Sequence, residues 1–141
     1  MIRKAIIALA LTILLPVMAC AKSWPVNVVY VYGMSASFND SIIYFTGIQE
    51  VKGAWLEGHN FLVNRDEYAY QLRNFLSDKT GGQNRVNIVC YALTRKDAEK
   101  KYAKLRRRYT TKAKRKYAIR DIPESEFMFK GVEPDNYNPT N

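Results

Sequence analysis

Apolar, β-branched and aromatic runs of strand length recur along the chain, separated by polar, turn-rich segments. "VNVVYVY" (residues 26–32) is β-branched and aromatic throughout, and "SIIYFTGIQEV" (41–51) repeats the pattern after the polar, turn-rich "GMSASFND". The two predict a long β-hairpin, with Gly47 marking a bulge or a close backbone approach. "RVNIVCYAL" (85–93) is a third strand, "KYAIRDI" (116–122) a fourth, and "FMFKGV" (127–132) a fifth or a continuation. "KGAWLEGHNFLV" reads as a loop or a short extra strand.

Between these runs the period is that of a helix. Tyr68, Leu72, Phe75 and Leu76 recur at helical spacing. Asn64 is placed to cap this helix with Glu67 three residues on, and Gly81 or Gly82 in "TGGQN" to end it. Thr94 is the expected cap of a second helix, with Asp97 in its first turn. The order β-β-α-β-α-β predicts an α+β fold: a two-layer sandwich with a four- to five-stranded sheet and both helices on one face. The other face would be open. Tyr30 and Tyr32 share one side of their strand, and Tyr91 lies opposite Cys90 on the third.

The first residues do not fit this pattern. Arg3 and Lys4 precede an apolar run, residues 5–18, too short for a membrane span and interrupted by Pro16. The small residues of "VMACAK" follow, so residues 1–21 read as a signal peptide. Residues 22–133 then form one domain, and 134–141 a disordered tail. The expected location is exported, periplasmic or secreted. Ala19-Cys20-Ala21 fits cleavage before Lys22, whereas 17–20 resembles a bacterial lipobox that would leave a lipidated Cys20 and an envelope-anchored protein. A Cys20–Cys90 bridge requires Cys20 to survive unlipidated; otherwise Cys90 is a buried, inert thiol.

Charge sharpens the picture. The chain has 22 Lys and Arg against 13 Asp and Glu, a net charge of +9. Loss of Arg3 and Lys4 leaves +7, and residues 95–116 alone hold twelve cations and two acids, or +10, so the rest sums to about −3. The basicity belongs to one surface. On a helix over 95–113, Ala98, Tyr102, Leu105, Tyr109 and Ala113 form one inward stripe, with Lys96, Lys100, Lys104 and Arg107 opposite. Asp97 is placed to pair with Lys101. Arg106, Arg107 and Arg108 come together, and "KAKRK" follows at once. A helix that only covers a sheet would mix its charge signs more evenly. An anionic partner is therefore expected: a lipid headgroup, an acidic glycan or an acidic protein, with peripheral membrane contact. Export argues against nucleic acid.

Catalytic signatures are sparse. His59 is the single histidine, which excludes a multi-histidine metal site, and Glu57 is its nearest carboxylate in sequence. "TGGQN" lacks the ending of a phosphate-binding loop, and Ser35, Ser37 and Ser41 lie in no nucleophile elbow. No cofactor and no metal are expected, and a minor hydrolase is the least supported reading. Asn39-Asp40-Ser41 reads as an exposed turn. "VNIVCYALTRKDAEKKYAKLRRRY" resembles in outline the strand-then-helix half of SPOR domains, which bind peptidoglycan at their sheet; the likeness covers 24 residues. A glycan- or protein-binding face built on Tyr30, Tyr32, Tyr44 and Tyr91, able also to join two copies of the chain, is the alternative to the basic helix.

Overall fold

The computed structural model describes residues 22–80 and 84–135. The expected signal peptide with Cys20, the helix-ending Gly81 and Gly82, and residues 136–141 of the expected tail lie outside the described residues. The elements run β1 (Ser23–Pro25), β2 (Val29–Ser37), β3 (Ile42–Thr46), β4 (Gln49–Val51), β5 (Trp55–Glu57), β6 (Phe61–Leu62), α1 (Arg65–Thr80), β7 (Arg85–Ala92), α2 (Arg95–Arg107) and β8 (Ala118–Ile122). Strands β1, β5 and β6 make a small separate sheet.

β2 is the spine of the main sheet. β7 pairs with it from Tyr30 to Ser37 on one side. On the other side β3 pairs with its second half and β4 with its first, and β8 runs parallel beyond β3. β3 and β4 are one interrupted strand. The pairing Met34↔Phe45 becomes Val31↔Gln49, which leaves one extra residue around Gly47. The bulge is therefore present, but a Cβ added at Gly47 would meet nothing within 4 Å. The close approach falls instead at Gly33, where an added Cβ would lie 2.7 Å from Leu72 Cδ2. β2 also runs on through Gly33 to Ser37, so the turn shrinks to residues 38–41.

The chain is an α+β sandwich, as its pattern predicts, but the two helices do not share a face. Alternation along β2 makes both faces apolar. Val29 and Val31 pack with Tyr68, Leu72 and Leu76 of α1. Met34, with Ile43 and Phe45, packs against Tyr102 and Leu105 of α2. Connectivity gives the reason. β4, β7 and β8 all run antiparallel to β2. The connection through α1 crosses the sheet one way and that through α2 crosses back. Two right-handed crossovers in opposite directions place their helices on opposite faces.

The expected fifth strand is instead an irregular strap (residues 123–135) packed over the α1 side by Phe127 and Phe129. Buried Gln49 clamps it: its amide nitrogen donates to Phe127 O at 3.0 Å, and Phe129 N donates to its oxygen at 2.8 Å. The strap lies so close to the 52–53 turn that a Cβ on Gly131 would sit 2.5 Å from the Gly53 carbonyl carbon. Asn64 precedes α1 but does not cap it with its side chain. Its φ is 52°, and its amide donates to Glu133 O at 3.0 Å, fastening the strap.

Three phenols are held above the usual tyrosine range near 10. Burial is the main cause at each. Cys90 adds to it at Tyr32; the Val132 N–H opposes it at Tyr68, as Arg106 does at Tyr102. The folded chain keeps these protons at pH values where the unfolded chain has lost them. The resulting stability is complete below about pH 10 and is lost as pH rises above it. Thermal melts followed by circular dichroism are expected to be flat to about pH 9.5 and to fall steadily above. A melting temperature unchanged through pH 11 would contradict this.

Candidate anionic docking face

α2 forms where Thr94 takes extended geometry (φ −124°, ψ 150°) and its side chain accepts from Asp97 N at 3.2 Å. The helix is 13 residues, about 20 Å long, and ends at Arg107 instead of running to 113. Thr110 turns its hydroxyl onto Arg106 O at 3.0 Å, and Lys112 N closes the end on Arg107 O at 2.9 Å. Ala98 is fully buried, and Tyr102 and Leu105 face the sheet. Tyr109 still packs on Phe45 from the turn beyond, with ring centroids 6.3 Å apart.

With the stripe inward, Lys96, Lys100, Lys101, Lys104, Arg107 and Arg108 are exposed, as are Lys112, Lys114, Arg115 and Lys116 in the loop that follows. Of the twelve cations in 95–116, only Arg95 and Arg106 form ion pairs among the described residues, which leaves ten (12 − 2) without one. Asp97 makes no ion pair with Lys101 within 4.0 Å, contrary to the helical spacing.

Arg106 separates from the predicted set. Its guanidinium grips Asp121 with two bonds of 2.6 and 3.0 Å, donates to Tyr102 Oη at 3.2 Å and lies 5.2 Å from the Phe45 ring centroid. The Asp121 bond, foremost, raises its pKa further. It is a strut between α2 and β8. Arg95 likewise stacks 5.2 Å over Tyr30 and bonds Glu50 at 3.1 Å.

One flank of the ridge overhangs a groove of about 630 Å³ against β7. Lys101, Lys104 and Arg108 stand on one wall and Arg65 on the other, with Asp97 the single acid in the lining. Arg65 escaped the sequence reading because it opens the other helix. It reaches across to Val89 O, 2.9 Å from its Nε, and covers the Tyr91 ring at 5.6 Å. That contact also blunts the free edge of β7.

The tyrosine platform does not assemble. Tyr30 and Tyr32 lie on the α2 side of the sheet; Tyr44 and Tyr91 lie on the α1 side, directed there by the registers Ser35↔Tyr44 and Val31↔Tyr91. Tyr32 is 1% exposed, its ring centroid 5.2 Å from that of Tyr102. Tyr91 Oη donates to Asn60 O at 2.8 Å and accepts from Leu62 N at 3.1 Å. The four tyrosines share no single face of the sheet that could carry that alternative.

His59 stands exposed in the turn between β5 and β6. Cys90 is half-buried. Among the described residues no three His, Cys, Asp or Glu gather to hold a metal, and no helix is long and apolar enough to cross a membrane. Comparisons with known proteins returned no match: no family model fits the chain, and no curated protein or solved structure is detectably similar.

Proposed function

We propose that the mature chain is an exported, non-enzymatic docking protein that holds an anionic partner against α2 and the 108–116 loop. One observation carries this reading: ten neighbouring cations stand in solvent with no carboxylate partner among the described residues, on the face of the sheet that α1 does not share. Lys96, Lys100, Lys104 and Arg107 form the crest; Lys101 and Arg108 lean over the groove. Arg106 belongs to the scaffold. The concentration of positive charge on one layer gives the molecule a polarity that orients it toward a negative surface before contact.

Such a face attracts by screened Coulomb forces, whose range falls from about 10 Å in 0.1 M salt to about 3 Å in 1 M. The protein is expected to be retained on a polyglutamate-coated matrix in low salt, released by salt near that upper value, and not retained on the uncoated matrix. Equal retention on both would overturn the proposal.

A further inference from the structure

The α2 side carries a second feature, at the end where the helix stops short. Beyond Arg107 the sheet is left partly bare, and Met34, Ala36, Ile43, Val86, Ile88 and Tyr117 line an apolar groove of about 380 Å³. Val86 is 49% and Ile88 40% exposed, and Phe38, at the tip of the β2–β3 hairpin, is 94% exposed. Scattered apolar residues are ordinary on a surface. Here they adjoin one another and the densest cations of the chain. Arg115 lines the same groove, stacks 4.7 Å over Tyr117 and reaches Asp40 O at 3.4 Å. Lys112, Lys114 and Lys116 are exposed on the same loop.

The tip is built to be presented. Asp40 Oδ1 accepts from Ile42 N at 2.9 Å, and Asn39 N donates to Ser37 Oγ at 3.1 Å. Beneath it, Arg85, whose side chain is 8% exposed, bonds Asp40 at 3.0 Å, donates to Ile42 O at 2.6 Å and lies 4.8 Å from the Tyr44 centroid. Asp40 is the one acid of the tip, and this pair offsets its charge where it would otherwise repel an anionic surface.

We infer that the partner is an anionic lipid bilayer, with Phe38, Val86 and Ile88 seated among the headgroups while Lys112, Lys114, Arg115, Lys116 and the α2 ridge bind their phosphates. The inference rests on the docking function proposed above. Charge complementarity selects this occupant: apolar side chains beside a loop of exposed cations that have no carboxylate partner among the described residues match an interface that offers hydrocarbon and negative charge within about 5–10 Å of depth. Each cation near such a surface adds to binding, and one buried aromatic ring adds roughly tenfold or more.

The test is partitioning of the protein onto phosphatidylcholine vesicles with and without phosphatidylglycerol, for the wild type, Phe38→Ser and Phe38→Trp. Binding to the phosphatidylglycerol vesicles alone is expected, weakened about tenfold or more by Phe38→Ser, with the added tryptophan emission of Phe38→Trp shifting to the blue relative to the wild type. Undiminished binding of Phe38→Ser would overturn the insertion and leave the cationic docking in place. No vesicle binding, with salt-sensitive retention on polyglutamate, would overturn the bilayer and point to an acidic protein. Failure on both surfaces would remove the docking function as well.

Discussion

Changing Lys100, Lys104 and Arg107 together to glutamate is expected to abolish retention on an anionic partner and leave the thermal melt within a few degrees of the wild type. All three side chains are exposed, and none takes part in an ion pair among the described residues. Their removal therefore strips no contact from the core. Near a negative lipid surface each Lys or Arg contributes about 1 kcal/mol. Losing three attractions and gaining three repulsions comes to roughly 3–6 kcal/mol, more than a hundredfold in affinity. The readouts are vesicle or matrix binding and a melt on the same sample. Retained binding in a folded triple variant would remove the ridge from the account.

The largest effect on stability is expected at Gln49. This side chain is 1% exposed and satisfies both Phe127 O and Phe129 N. Gln49→Ala leaves a buried donor and a buried acceptor unpaired, each costing about 1–3 kcal/mol, so roughly 3–4 kcal/mol in all with partial relaxation. The strap would loosen first, because Phe127 and Phe129 depend on that clamp for their seats beside Tyr68 and Phe75. Urea titration is expected to show a lower midpoint. Hydrogen exchange should rise at residues 127–132 before it rises in β2. A midpoint equal to that of the wild type would show that the strap does not rely on Gln49. Sequence offered no hint of this role, since nothing local marks a glutamine as the partner of a backbone nearly 80 residues away.

Sequence reasoning succeeds here where periodicity is strong and fails where tertiary placement decides. The inward stripe of α2 is legible because Ala98, Tyr102 and Leu105 must face something apolar, which forces the cations outward. The α+β class is legible for the same reason. β2 was harder to delimit: Gly33, Ala36 and Ser37 are poor strand formers, yet β7 pairs with all of them, and Leu72 occupies the space a side chain at Gly33 would need. The layer arrangement is not legible in the sequence because apolar residues on both sides of a strand can mean an open second face or a second cover. Only the direction of the two crossovers distinguishes these. The same ambiguity produced the tyrosine platform, which register splits between two faces. Arg106 is indistinguishable from its neighbours in the sequence, which shows its charge and not Asp121, which approaches from β8.

The most direct measurement of the central claim is the dependence of binding on ionic strength for the wild type and the Lys100/Lys104/Arg107 triple reversal, on one anionic surface. Wild-type affinity is expected to fall steeply as salt rises, while the variant stays at background throughout. Wild-type binding that ignores salt, or a variant that follows the wild-type curve, would contradict docking through the cations of α2.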